Sequence, residues 1–165
     1  QDARTIKPKM LSELSTLPTA GVFLLSIQDM DPIDPIFSAI SSCLAKHSRI
    51  VILMTHPAFR IPRQSGWGFD ELRKLTFRRI DSYLSHMSIP LKSFGVQRAG
   101  VSKSFHRPLE FYVNLLGKHG FAIDAMEESA TYKLDHGSTD QAKSMNRAYK
   151  EFPLFLAFRA VRIQS

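Results

Sequence analysis

Two histidines and a set of arginines are the residues best equipped for chemistry. His56 stands in Thr55-His56-Pro57 at the end of an apolar run, and His106 in His106-Arg107-Pro108 where a helical pattern begins. An imidazole titrates near neutrality, so either ring could take a proton from a substrate hydroxyl or amine. Either could equally hold its own turn together by a hydrogen bond. Arg60, Arg63 and Arg107 carry planar guanidinium forks that suit a carboxylate or phosphate, and Trp67 with Phe59 could form an apolar wall beside them. The same five residues also fit a charged surface over a small lid core. Cys43 shares an apolar helical face with Ile36, Phe37, Ile40 and Leu44, where a thiol packs rather than attacks. Gly66-Trp67-Gly68 has neither a preceding strand nor a third glycine, which makes it a poor phosphate cradle. No Cys/His cluster has metal-ligand spacing, so no metal is expected.

The charge is unevenly placed. Between His56 and Leu109 ten basic residues face three acidic ones, while the rest of the chain balances at twelve of each, so one segment carries the whole net charge of +7. That points to an anionic partner or substrate nearby, or to an Arg-rich solvated surface. The 165 residues, 44% hydrophobic, suffice for one ordinary core. The single cysteine excludes an internal disulfide, and the chain reads as intracellular, in the cytoplasm. The apolar stretches Gly21 to Ile27 and Ile50 to Met54 are too short to span a bilayer, and Gln1-Asp2-Ala3-Arg4 lacks the apolar region of a signal peptide. The absence of an initiating Met suggests a piece of a longer protein.

Those residues must be held by a scaffold, and the hydrophobic pattern supplies one. Gly21 to Ile27 reads as a strand buried on both faces. Asp34-Pro35 supplies a cap and first-turn proline for a helix to about His47, and Arg49 to Met54 is a second buried strand. Strand, helix, strand in this order is the crossover unit of a parallel sheet. Residues 56–107 break the rhythm as a long basic excursion, of the kind that forms lids and binding loops. Within it Asp70 to Leu75 suggests a short helix, and Arg79 to Leu84 either helix or strand. A helix follows Pro108 and ends near Gly117 and Gly120, then a strand from Phe121 to Met126, a polar loop, a surface helix through Gln141 to Tyr149, and a last strand from Phe152 to Val161, expected to be antiparallel.

The ordered set Leu25-Ser-Ile-Gln-Asp-Met-Asp-Pro32, Ile50-Val-Ile-Leu-Met-Thr-His-Pro-Ala-Phe-Arg60, Phe105-His-Arg-Pro-Leu109 with Gly120-Phe121, and Phe152-Pro-Leu-Phe-Leu156 resembles the C-terminal half of class I S-adenosylmethionine-dependent methyltransferases. The resemblance implies an α/β fold, a partial Rossmann-like sheet of strands four to seven from a full order 3-2-1-4-5-7-6, with the seventh antiparallel. Residues 1–165 would then be one incomplete domain, without the glycine-rich cofactor loop and first three strands. It also implies that Asp2 and Ala3 follow the third strand beside the adenine, and that Ser26, Ile27, Gln28 and Met30 line the cofactor pocket after the fourth.

The function implied is methyl transfer from S-adenosylmethionine to a small or medium-sized acceptor, inactive in this chain alone. His56 and His106 are the candidate proton acceptors, and Phe59, Arg60, Arg63, Trp67 and Arg107 the candidate substrate contacts. An exposed fourth strand would be covered by a second copy or by a separate subunit carrying the N-terminal half. The alternative is a non-catalytic docking module whose arginines bind a polyanion such as RNA, although no nucleic-acid-binding motif accompanies the charge.

Overall fold

A computed structural model describes residues 3–11, 14–91 and 102–163. Its main sheet is built from β1 (Ala20–Leu24), β2 (Arg49–Thr55), β7 (Phe121–Ser129) and β8 (Phe155–Arg162), in the order β1-β2-β8-β7. β1 and β2 pair in parallel, joined through α1 (Asp34–Cys43), while β8 is antiparallel to both β2 and β7. β7 therefore runs in the same direction as β1 and β2. This is the order 4-5-7-6 expected from the resemblance, with the antiparallel strand between two parallel ones.

β2 alternates as a one-sided strand does: Ile50, Ile52 and Met54 point inward and are fully buried, while Val51, Leu53 and Thr55 face the other way and are half-buried. Over the inward face lie α1 and α2 (Leu109–Lys118), contributing Ile36, Phe37, Tyr112, Leu115 and Leu116 to a core shared with Phe23, Phe121, Leu156 and Phe158. The Phe23 and Phe37 rings stack at 5.4 Å between centroids. Each such side chain withdrawn from water contributes roughly 1.5–3 kcal/mol before its ordering entropy is counted. No described helix is long and apolar enough to cross a membrane.

The opposite face of the sheet is open at β1. The strand expected to be buried on both faces leaves Val22 69% and Leu24 65% exposed, because among the described residues β1 pairs only with β2 and nothing packs over its outer side. It is also shorter than expected. The chain leaves the sheet at Leu25, whose φ of 49° ends the extended run before Ile27.

Helix α1 begins one residue earlier than its capping pattern suggests: Ile33 is the N-cap, Asp34 is already helical, and the helix stops at Cys43 rather than near His47. The Asp34 carboxylate instead receives Lys118 Nζ at 2.7 Å and His119 Nε2 at 3.1 Å, tying the start of α1 to the end of α2. That arrangement puts the Asp34 carboxylate at one helix N-terminus and the Lys118 ammonium at the other's C-terminus, the favoured sign at both ends.

The excursion forms two antiparallel ribbons, β3 (Ser65–Asp70) with β4 (Leu75–Ile80) and β5 (Met87–Pro90) with β6 (Lys103–His106). The short helix read at Asp70 to Leu75 is instead a hairpin turn. Asp70 Oδ1 accepts hydrogen bonds from the Leu72 and Arg73 amides, and Lys74 takes the left-handed conformation that closes the loop (φ 52°). The strand alternative holds for Arg79 and Ile80, after which the chain turns away. β7 runs three residues beyond its expected end, α3 spans Asp140–Glu151 behind a Thr139 cap, and β8 starts at Phe155 rather than Phe152.

Candidate functional site

Because β1, β2 and β7 share one direction, their carboxyl ends lie at one edge of the sheet, and the loops leaving them meet there. The register fixes the alignment across β8: Met54 and Glu128 both stand opposite Leu156, and Thr55 and Ser129 both opposite Phe155. His56, one residue past β2, reaches across β8, and its Nε2 lies 2.8 Å from Glu128 Oε1. The Ala58 amide donates to His56 Nδ1 at 3.1 Å, so in the neutral ring the hydrogen sits on Nε2 and is donated to Glu128. Both ring nitrogens are thus engaged, and the ring is only 4% exposed against Phe59. The Glu128 carboxylate, about half exposed, is the accessible end of the pair.

The loop after β1 is held inward. Ile27 is fully buried in the core, and the Gln28 amide clamps the end of β2, its Oε1 accepting from the Thr55 amide at 3.0 Å and its Nε2 donating to the Thr55 carbonyl at 3.2 Å. Ser26 caps the 3-10 turn Ile27–Asp29 through its backbone carbonyl, which accepts from the Asp29 amide. Met30 and Ala3 pack against the core. Asp2 lies outside the described residues.

His106 and Arg107 enter the structure from β6. Arg107 Nη2 donates to the Met30 carbonyl at 2.9 Å and to Asp31 Oδ1 at 2.7 Å, and its guanidinium lies over the Phe105 and Phe111 rings. It is 4% exposed, and its Nη1 and the nearby Tyr112 hydroxyl are buried without hydrogen-bond partners. Arg107 therefore pins the loop after β1 from below, apart from the other candidate arginines. His106 Nε2 donates to the Tyr83 carbonyl at 2.6 Å, while the Tyr83 hydroxyl accepts from the first amide of α2. Burial pushes the His106 imidazole below its ordinary value, His86 adding to the effect and the Tyr83 carbonyl opposing it. Arg63 is exposed, in a left-handed conformation, and donates to the Pro90 carbonyl at 3.1 Å.

Trp67 and Arg60 do come together. They line an open cleft of ≈ 670 Å³ with Arg78, Lys133, Tyr149 and Phe155, between the β3-β4 ribbon, α3 and the loop after β7. Arg78 stacks over Trp67 at 4.8 Å, Arg60 over Phe155 at 5.1 Å, and the Trp67 ring is gripped edge-on by Tyr149 and Phe152 at 5.6 Å each. Arg78 is anchored by Nε to the Phe59 carbonyl at 2.6 Å and by Nη2 to Ser65 Oγ at 3.0 Å. Phe59 stands behind this wall, against His56 and Phe152.

Glu128, Arg78, Lys133 and Tyr149 are members of this edge that sequence patterning left unassigned. Glu128 lay just past the strand end drawn at Met126, in a stretch whose polarity reads as loop. Arg78 was one of ten basic residues in the excursion, with nothing local to separate it from the others; only the 180° alternation of β4 puts it on the Trp67 side of the hairpin.

No protein-family model matches this chain, and no curated protein does. Solved structures do. An S-adenosylmethionine-dependent methyltransferase from Mesorhizobium loti superposes with a TM-score of 0.62 at 23% identity, over 98% of this chain and 68% of its own. The glycopeptide N-methyltransferase MtfA with S-adenosylhomocysteine gives 0.53 at 10% identity, over 98% and 59%. A methyltransferase of the same cofactor from Methanosarcina mazei gives 0.51 at 11% identity, over 100% and 66%. The chain therefore has the mixed α/β fold of these methyltransferases and spans 59% to 68% of the length of these three.

Proposed function

We propose that this chain is the substrate-side part of an S-adenosylmethionine-dependent methyltransferase acting on a small or medium-sized acceptor. The observation that carries this reading is the strand order β1-β2-β8-β7, with antiparallel β8 between parallel neighbours and the loops after β1, β2 and β7 converging at one edge. In open α/β sheets that edge is where ligands sit.

The edge suits one wall of a cofactor pocket. Leu24 and Leu25 are exposed apolar side chains at the end of β1, and Met30 in the loop that follows packs partly buried against the core, a set that suits the flat adenine and the thioether chain. The polar groups of Gln28 are already taken by Thr55, so ribose and methionine need partners from elsewhere. On this reading Ser26, Met30 and Ala3 border the cofactor, with Ile27 and Gln28 supporting from beneath. The second wall comes from a partner, a separate N-terminal-half subunit or a second copy, seated on the open outer side of β1. Two exposed apolar side chains on a free strand edge make that surface costly to leave in water.

S-adenosylmethionine supplies an electrophilic methyl group. What the chain's own residues then do is orient the acceptor, exclude water and remove a proton. Glu128, held by the His56 Nε2 hydrogen, is placed to take that proton, which makes His56 a positioning residue. His106, hydrogen-bonded to Tyr83, steadies the start of α2. The aromatic and basic cleft receives the acceptor.

The test is an amide chemical-shift titration of this chain with S-adenosylmethionine and with S-adenosylhomocysteine. Shifts confined to Ala3, Leu24 to Met30 and their neighbours are the expected result. Saturable shifts confined to residues away from that edge would refute the reading, whereas no shifts at millimolar cofactor would mean that this chain alone is a half-site awaiting its partner.

A further inference from the structure

We infer that the cleft between the β3-β4 ribbon, α3 and the loop after β7 binds a planar aromatic ring carrying an oxyanion, either a carboxylate or a phosphate. As an assignment of acceptor class this rests on the methyltransferase reading; as a binding site it stands on the cleft alone.

Three cations line the cleft, Arg60, Arg78 and Lys133, and no carboxylate stands among the lining residues. Among the described residues no carboxylate pairs with Arg60, Arg78 or Lys133, whereas Arg79 pairs with Asp81, Arg107 with Asp31, Lys118 with Asp34, and Arg159 with Asp124. Arg60 and Arg78 stand close enough that the charge of Arg60 disfavours that of Arg78, adding to the effect of burial. Two like charges held together in a partly dry cleft repel one another, and an anion between them removes the repulsion. The anchoring of Arg78 by Phe59 and Ser65 fixes one guanidinium in advance, so less ordering is needed when the ligand arrives.

The aromatic lining supplies the second half of the recognition. Each arginine is stacked on a ring, Arg78 on Trp67 and Arg60 on Phe155, and these two stacks border the same opening. Tyr149 adds a ring on the α3 side. Tyr132 stands fully exposed at the mouth and offers a further ring there. The volume, ≈ 670 Å³, falls within the range of small-molecule sites and holds one or two fused rings with an acidic group. A neutral aromatic would leave the guanidinium pair uncompensated, and an aliphatic acid would leave the rings uncovered.

Trp67 is the chain's one tryptophan, so its fluorescence reports on this cleft and nothing else. The intact chain is titrated with 3-phenylpropionate, phenyl phosphate, 3-phenylpropionamide and cyclohexanecarboxylate. Saturable quenching by the carboxylate or the phosphate, about tenfold tighter than by either the amide or the alicyclic acid, is the expected outcome. The ratio of carboxylate to phosphate affinity identifies which oxyanion the cleft prefers. Arg60→Gln and Lys133→Ala, both at exposed positions, should each weaken the anion about tenfold and leave the amide unchanged. Equal affinity for acid and amide, or no saturable response at millimolar ligand, would overturn the inference. So would quenching by a single-stranded oligonucleotide, reversed by salt, with no response to the small anions. The cofactor titration above is read separately. Anion binding with cofactor shifts away from the loop after β1 leaves this inference standing and removes the methyltransferase reading, whereas cofactor shifts at that loop without anion binding do the opposite.

Discussion

His56 donates from Nε2 to Glu128 across the strand that separates them, so the loop after β2 and the end of β7 are joined by a single 2.8 Å contact over the start of β8. The contact leaves a half-exposed carboxylate oriented by a buried imidazole. If Glu128 accepts the acceptor's proton, Glu128→Gln should lower kcat by about a hundredfold while leaving the cofactor's affinity unchanged. His56→Asn should give a smaller loss together with an altered pH profile, because the carboxylate is then free to turn. Steady-state methyl transfer by the chain assembled with its partner measures both. An unchanged kcat in Glu128→Gln would remove the carboxylate from the reaction.

A second joint holds the scaffold. Arg162, at the end of β8, donates through Nη1 to the Leu44 carbonyl at 2.9 Å and through Nη2 to Ser41 Oγ at 2.7 Å and to the Ser41 carbonyl, with its guanidinium over the Phe121 ring. These are the carbonyls that the end of α1 leaves without helical partners. Arg162→Met keeps the aliphatic stem but strips the donors, and should lower stability by about 2 kcal/mol in a urea titration. Arg162→Lys should recover only part of that, since an ammonium cannot span Ser41 and Leu44 together. Full recovery by lysine would mean that charge at the helix end matters and the fork does not.

The parts of the fold that sequence made legible are those in which one physical signal dominates. The run Arg49 to Thr55 is apolar and β-branched, and Pro108 followed by Leu109, Tyr112 and Leu116 has the spacing of a single helical face; both elements stand where the pattern puts them. The excursion was less legible because its structure rests on pair contacts rather than on periodicity. Asp70 closing its own turn, Phe77 lying on Gly68 and Arg78 stacking on Trp67 are relationships between residues on two strands, and neither strand alone announces them. The candidate site divides in the same way. Arg60 and Trp67, seven residues apart, do meet in the cleft, whereas Arg107, drawn into the same group by its charge, is buried against Met30 and Asp31. A residue type identifies what a side chain can bind; only the fold decides whether its partner is a ligand or the protein itself.

His106 provides a pH signature. Burial holds its folded-state value below the ordinary one, so the unfolded chain takes up the proton more readily than the folded chain. The stability of the native state is then intact above the unfolded value of about 6.5 and declines as pH falls below it toward the folded value. His106→Gln retains an N–H able to reach the Tyr83 carbonyl but does not titrate. The urea midpoint of the wild-type chain should therefore fall relative to that of His106→Gln as pH drops from about 7.5 to about 5.5, and the two should keep a constant separation above that range. Parallel curves throughout would show that His106 does not carry the effect.

Gly68 and Phe77 stand directly opposite one another in the β3-β4 ribbon, and the Phe77 ring occupies the space that a Cβ on Gly68 would enter. The absence of a side chain is what lets the ring lie flat across the strand. Gly68→Ala must push that ring aside, and should cost about 1 to 2 kcal/mol even though alanine is the better strand residue in isolation. Phe77 is itself nearly half exposed, so Phe77→Ala alone should be mild. The discriminating measurement is the double-mutant cycle. Once the ring is gone, Gly68→Ala no longer meets anything and should become neutral or stabilising by up to about 1 kcal/mol, because alanine restricts the unfolded chain. A change of sign between the two backgrounds would establish that the glycine is required by the ring. If Gly68→Ala were equally costly in both, the requirement would lie in the backbone of the ribbon.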